Sequence, residues 1–308
     1  MKIAYLILAH NTPNHLHRLI RSLSSPDCDF FIHVDKKSDF SLIEGNNIYF
    51  VDNRISVYWG DFSQIRAIVI LMNQALNTNQ NYGYFVLLSG SDYPLRSSIY
   101  IHDFLEAHRN TEFINMVKMP CAEVNKPLSR LRLYKVESDH TIRNQIFETM
   151  RKSLHKIGLD SILERDYKKY LGDLEPYGGS QWWALTKNAC DYIINFIDKK
   201  PRIVDFFTNT MCPDEMFFQT ILGNSQFRQM VKRNLTYTDW STGGSNPATI
   251  EHRHIRFFKD QREIMARNVY GEGELLFARK FPDESQQLVE RIDEMIRRKD
   301  ENWLSTRS

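Results

Sequence analysis

Through the first hundred residues, short apolar runs alternate with stretches of helical period. Residues 3–9 (IAYLILA) are apolar throughout and of strand length. Residues 14–24 place Leu16, Leu19, Ile20 and Leu23 on one helical face. Residues 30–35 (FFIHVD), 47–51 (NIYFV) and 84–90 (YFVLLSG) predict further strands. Residues 63–76 predict a long helix, with Asp61 or Ser63 able to cap its start. This strand–helix–strand alternation predicts an α/β fold with a mostly parallel central sheet flanked by helices. Ligands on such sheets lie outside the carboxyl ends of the strands. Three of those ends carry polar side chains: His10 with Asn11, Asp35, and Ser91 with Asp92.

The pattern changes over 99–175. A helix over 101–108 and an apolar run at 113–118 precede a polar stretch rich in Arg and Lys. Ile142, Ile146, Met150, Leu154 and Ile157 then recur at helical spacing, beside a basic face of Arg143, Arg151, Lys152 and Lys156. That face reads as solvated, or as a peripheral contact with membrane lipid. The α/β pattern resumes with a strand over 180–186 and a helix over 187–198. A helix over 212–222 follows, with Pro213 in its first turn, then a short strand or loop at 237–240 and a charged helix over 284–298. No repeat or low-complexity linker interrupts the chain, so one domain is expected.

Composition narrows the classes. Hydrophobic residues make up 42% of the 308 and aromatics 12%, enough for a packed core. The formal charge of +2 gives no surplus for a polyanion, so nucleic acid is not expected as a partner. Cys28, Cys121, Cys190 and Cys212 are widely spaced and form no C-x-x-C pair, which argues against structural zinc. In a chain this long they are expected to stay reduced, which suggests a cytosolic compartment; two disulfides are the alternative. The opening apolar run stops at His10, far short of the ~20 residues of a membrane span. It reads as a strand, and no leader or anchor is expected.

Several chemical signatures are absent. There is no G-x-G-x-x-G after the first strand, no Walker A loop and no G-x-S-x-G elbow. The place for an acidic metal motif, the end of the second strand, reads Asp35-Lys36-Lys37. A D-x-D pair there would supply hard oxygen ligands for Mg²⁺ or Mn²⁺ on a pyrophosphate. With lysine in place of the second acid, a nucleotide bound there needs a protein cation instead of the metal.

LILAHN (6–11), FIHVDKKSD (31–39), VYWGDFSQIRA (57–67), LLSGSDYPL (87–95), GSQWWALT (179–186), CPDEMFFQTIL (212–222) and LFARKF (276–281) run in order across nearly the whole chain. Taken together they resemble the core-2/I-branching β-1,6-N-acetylglucosaminyltransferase family, which also holds peptide O-xylosyltransferases. The resemblance implies a GT-A-like nucleotide-sugar-binding fold and an inverting transfer from a UDP-sugar donor without a divalent metal or other cofactor. It implies Glu215, in the P-D-E motif, as the base, and Lys280, in F-A-R-K-F, on the donor pyrophosphate. A second basic residue on the pyrophosphate falls on Arg253 or Arg256, with Arg253 preferred. An aromatic acceptor platform falls on Trp240. The implied partition is a nucleotide-binding half (1–98), a helical variable insert (99–175), an acceptor and catalytic half (176–283) and a C-terminal helix (284–308).

The residue types suit those roles. An acceptor hydroxyl must lose its proton as it attacks, and a carboxylate within reach can take it. Asp214 and Glu215 can alternatively just favour a helix dipole, and Asp214 is expected to be a structural or capping residue. Arg279 and Lys280 follow an apolar approach, Leu275 to Ala278, which suits a partly desolvated anion site; snorkelling surface charge is the alternative. Asp35 is placed to bond the donor ribose or uracil, or to cap its own turn. His10 is placed to meet the uracil, or to sit satisfied in the core. Ser91 and Asp92 are placed to bond the donor sugar, or to fix the turn before Pro94. Trp240, in a polar loop beside Gly243 and Gly244, is favoured as the acceptor platform, with Trp182 a second candidate.

The expected activity is transfer of a sugar, GlcNAc or xylose, onto a hydroxyl of a glycan or glycolipid, in the cytoplasm or at the inner face of a membrane. Two rivals stand beside it. One is a metal-dependent nucleotide-sugar transferase using Asp35, Asp92 or Asp214. The other is a noncatalytic carbohydrate-binding protein derived from a transferase.

Overall fold

The computed structural model describes residues 1–39, 44–135, 149, 153, 164–244, 246–261 and 263–305. β1 (Lys2–Ala9) is the apolar run that opens the chain. It pairs in parallel with β2 (Cys28–Val34), and β3 (Ile48–Phe50) extends the sheet beyond β2, also in parallel. On its other edge β1 pairs in parallel with β4 (Tyr82–Ser89). Helices cover both faces of these strands, which is why they are apolar at nearly every position rather than alternating; β2 is buried from end to end.

The period-2 geometry of β1 divides its side chains between two cores. Ile3, Tyr5, Ile7 and Ala9 join Leu16, Leu19, Ile20 and Leu23 of helix α1 (Pro13–Leu23). The same core takes Leu288, Val289, Ile292, Met295 and Ile296 from the C-terminal helix Gln286–Ser305. Ala4 and Leu6 point the other way, onto Ile65, Ile68, Leu71 and Met72 of helix α2 (Ser63–Leu76). Of the two caps expected for α2, the Asp61 carboxylate accepts the Ser63 N–H at 2.9 Å, while the Ser63 hydroxyl is occupied by the Tyr58 N–H.

Beyond β4 the strand direction reverses. After β5 (Asp92–Pro94) come β6 (Glu112–Lys118) and β7 (Tyr177–Thr186); β7 runs antiparallel to both β4 and β6, and β8 (Val231–Lys232) lies parallel to β6. The order of the large sheet is β3-β2-β1-β4-β7-β6-β8. β9 (Thr236–Thr238), the hairpin of β10 (Met265–Asn268) and β11 (Gly271–Glu274), and β12 (Phe277–Arg279) complete the strands. β12 lies between β5 and β9 in a small second sheet.

Two expectations need correction. The segment 99–175, expected as a helical insert, supplies β6 to the main sheet, because the apolar run at 113–118 buries Phe113 and Ile114 between layers. The helix expected over 212–222 is broken. Pro213–Glu215 form one 3-10 turn, Met216 leaves helical geometry (φ −139°), and the α-helix runs over Phe217–Gly223. Cys212 enters that turn in the left-handed region (φ 50°), a conformation that an α-helical first turn cannot follow smoothly. The helix expected from Ile142 to Ile157, with its basic face, lies outside the described residues. All four cysteines are free thiols. Among the described residues no helix is long and apolar enough to cross a membrane.

Candidate active site

The ends of β1, β2 and β4 meet the small sheet, and most of the expected donor residues gather there. The Asp35 N–H bonds the Ala9 carbonyl, and the Gly90 N–H bonds the Leu8 carbonyl, so the three strand ends are held level. Gly90 passes close to β1: a Cβ there would sit 3.3 Å from both Ala9 Cβ and Thr12 Oγ1. Opposite them, β12 places Arg279 across from Asp92, and the Phe281 N–H bonds the Ser91 carbonyl. Lys280 is thereby fixed between the end of β4 and Ile250, whose N–H bonds the Lys280 carbonyl.

The charges there are mostly matched. Asp92 is fully buried and its oxygens take the Ser89 hydroxyl at 2.5 Å, the Ser89 N–H at 3.0 Å and Arg279 Nε at 3.2 Å. Burial pushes this carboxyl up while Arg279 pulls it down. Asp92 therefore fixes its own turn and anchors Arg279. Arg279 in turn lies 4.1 Å over the ring of Trp182. Asp35 is capped by the Lys37 N–H and ammonium, each at 2.9 Å, and Lys37 lies 4.1 Å from the Tyr58 ring centroid. Lys280 differs. Its ammonium is partly buried and has no acidic or hydrogen-bonding partner among the described residues. Burial and the Arg279 charge both push it down. His10 stands at the rim; desolvation and Lys280 lower its imidazole, and Asp35 raises it.

β7 touches both this end and the turn that carries the expected base. Ile114 faces Trp183 and Met116 faces Gly179, so Asn115 alone stands against Ser180, Gln181 and Trp182. Such a bulge bends the strand and re-aims its side chains. It is locked by Gln219 Nε2 on the Ser180 carbonyl (2.7 Å) and Asn234 Nδ2 on the Trp182 carbonyl (3.4 Å). Only glycine fits at 179, where a Cβ would lie 1.6 Å from the Asn115 carbonyl oxygen. Trp182 lies under Arg279, and the Pro213–Glu215 turn packs against β7.

Glu215 has one oxygen held and one open. Oε2 accepts Lys126 Nζ and Arg130 Nη1, both at 2.5 Å, while Oε1 has no partner among the described residues. Lys126 comes from a tight turn closed by paired backbone bonds between Cys121 and Lys126, and its stem crosses Gly178 of β7. Arg130 comes from the short helix Ser129–Arg132. Tyr270, from the turn of the β10–β11 hairpin, is near enough to respond to the group: burial and then the Glu215 carboxylate push its phenol up. Asp214 is buried (7% exposed) without a hydrogen bond to Oδ1. Of the structural and capping roles expected for it, no cap to another residue is made among the described residues.

The remaining candidates divide. Arg253 reaches Asp239 Oδ2 at 3.1 Å and Glu251 Oε2 at 3.3 Å, whereas Arg256 is exposed and meets no carboxylate among the described residues. Asp239 is held down to about 2 by the Ser241 N–H and by His254, and so orders the loop that presents Trp240. Trp240 is 53% exposed and able to stack on a sugar; Trp182 is 5% exposed with a face taken by Arg279, so it supports the cation rather than offering a platform. Lys126, Arg130 and Tyr270 were not singled out from the sequence, nor was Trp59. Trp59 is 63% exposed beside Gly60, whose carbonyl accepts the Cys212 N–H.

Comparison with known proteins gives the family. The family described as Core-2/I-Branching enzyme matches residues 3–262. Xylosyltransferase 2 of Rattus norvegicus is 25% identical over 313 residues, 95% of this chain and 33% of that protein. Xylosyltransferase oxt of Drosophila melanogaster is 26% identical over 257 residues, 78% of this chain and 26% of that protein. The chain thus spans about a third or less of the length of these curated relatives. Among solved structures, mouse xyloside xylosyltransferase 1 in its apo form aligns over 90% of this chain and 97% of its own, at 10% identity and a TM-score of 0.33. With a match that takes in β1, the Asp92 turn, the β7 bulge and Glu215, the chain belongs to the Core-2/I-Branching enzyme family of glycosyltransferases.

Proposed function

We propose that this chain transfers a sugar from a UDP-sugar to a hydroxyl of a glycan with inversion and without a divalent metal. The observation that carries the reading is Lys280. It is a partly buried ammonium without an acidic partner among the described residues, at the strand ends where a donor pyrophosphate belongs, while its neighbour Arg279 is already matched by Asp92. Desolvating an unpaired cation is unfavourable unless an anion joins it. Among the described residues no cluster of His, Cys, Asp or Glu is arranged to hold a metal ion, and the carboxylate at the end of β2 is answered by Lys37.

In this mechanism Glu215 Oε1 removes the acceptor proton while Lys126 and Arg130 keep Oε2, and so the whole carboxylate, oriented. The acceptor oxygen bonds to the anomeric carbon on the face opposite the leaving phosphate. The glycosidic C–O bond to UDP breaks, and its electron pair goes to the diphosphate. Lys280 neutralises that developing charge, with Arg253 or Arg256 at the outer side. Trp240 supports the acceptor ring. The relatives named as xylosyltransferases make xylose the first donor sugar to try, with GlcNAc the second.

The test is UDP release from UDP-xylose and UDP-GlcNAc, in excess chelator and in Mn²⁺. Turnover that persists in chelator is the expected result. Turnover that vanishes there and returns with Mn²⁺ overturns the metal-free mechanism.

A further inference from the structure

The β10–β11 hairpin is an arm fixed at its base and largely solvated beyond it. At the base the Leu275 N–H bonds the Ile264 carbonyl, and Glu274 is buried against Arg96 and Tyr100. Gly273 lies against the stem of Arg233, where a Cβ would sit 3.0 Å from Cγ, so the arm rests on the body of the protein. Further out, Arg267 and Glu272 pair across the strands as exposed side chains. Asn268 pairs with Gly271, leaving Val269 and Tyr270 as a two-residue turn. Gly271 supplies a positive φ (99°), and the Asn268 side chain accepts the Tyr270 N–H at 3.0 Å. In this exposed tip, Asn268 to Gly271, only Tyr270 is half-buried.

Tyr270 stands near the turn of the expected base. After burial, the Glu215 carboxylate, the Cys121 thiol and Arg130 act on its phenol, influences that fade beyond about 10 Å. Other phenols are tied into the fold: Tyr82 to Asp29, Tyr84 to two carbonyls, Tyr93 to Asp293 and Tyr100 to Glu274. The Tyr270 hydroxyl has no partner among the described residues and is not sealed from solvent. Glu215 Oε1 has no partner there either. One group that only accepts, one that donates and accepts, and an aromatic ring match the hydroxyls and C–H groups of a sugar ring. An apolar ligand leaves both oxygens unanswered. An anion meets Glu215, which already holds Lys126 and Arg130. We propose that the β10–β11 arm is part of the acceptor site, where Tyr270 hydrogen-bonds the sugar whose hydroxyl Glu215 deprotonates, and so contributes to the choice of acceptor. This rests on the transferase reading above.

The experiment gives labelled UDP-xylose and UDP-GlcNAc, with an array of glycans, to the wild-type chain, Tyr270→Ala and Tyr270→Phe. Calorimetry with UDP reports the donor end, and thermal melting reports folding of each variant. On the glycan that the wild type labels best, Tyr270→Ala should raise the acceptor KM about tenfold or more, the scale of one hydrogen bond. UDP affinity should stay within a few-fold. Tyr270→Phe, which keeps the ring and the packing of the tip, should raise that KM less. An acceptor KM unmoved in both variants, or a parallel loss of UDP affinity, overturns the inference alone. So does a fall in kcat with the acceptor KM unmoved, which would make Tyr270 a support for Glu215. So does a wild type that releases UDP to water but labels no glycan. A wild-type chain that neither binds UDP nor releases it from a UDP-sugar sinks the transferase reading and this inference with it.

Discussion

The two ends of the site are built on opposite plans. At the strand ends, charges meet at distances set by sheet register: Arg279 faces Asp92 because β12 pairs with β5, and Lys280 follows as the unmatched cation. At the Pro213–Glu215 turn, register sets nothing. One oxygen of Glu215 takes two cations while the carboxyl beside it takes none. The first end is a preorganised frame lacking one anion, which suits holding a diphosphate. The second is an irregular turn braced from outside, which suits groups that must exchange protons and partners. In the proposed mechanism, rigid binding and adaptable chemistry would fall to different kinds of backbone.

That contrast is most sharply tested at Glu215. Glu215→Gln should lower kcat by about 10²–10⁴, the worth of a positioned base, while UDP affinity measured by calorimetry stays within a few-fold. A large loss of UDP affinity would show that the two ends are not separate. Lys280→Ala should do the converse. It weakens UDP binding and lowers kcat/KM by about 10²–10³, and unchanged affinity would remove Lys280 from the donor site.

The smallest effect concerns stability. The folded state raises Asp214 from 3.8 to about 7, so it holds that proton more tightly than the unfolded chain does. Stability from this group is whole below pH ~4 and is lost as pH rises toward 7. Asp214→Asn should therefore melt a few degrees above the wild type at pH 8, with the gap closing by pH 4 to 5. A gap independent of pH would mean that Asp214 carries no such strain.

Much of the fold was legible beforehand. The helix over 63–76 matches Ser63–Leu76, and the strands at 3–9, 30–35 and 84–90 match β1, β2 and β4 within two residues at each end. Those segments bury one continuous stripe or run, and burial is what periodicity reports. The helix over 212–222 was misread because its apolar pattern continues through Met216, while the left-handed Cys212 and the 3-10 turn leave no mark on periodicity. Glu215 and Lys280 could be named from ordered motifs. Lys126 and Arg130 could not, since each is an ordinary basic residue in a polar stretch.

Local pattern was enough to specify the strands, the helices that cover them and the polar strand ends, because each depends on whether a residue faces water or neighbours. The antiparallel entry of β7, the bulge that slides Trp182 beneath Arg279, and the cations on Glu215 emerged only on folding. Lys126 and Glu215 lie 89 positions apart, and contacts of that span follow from how the chain crosses itself, which no run of neighbouring residues encodes.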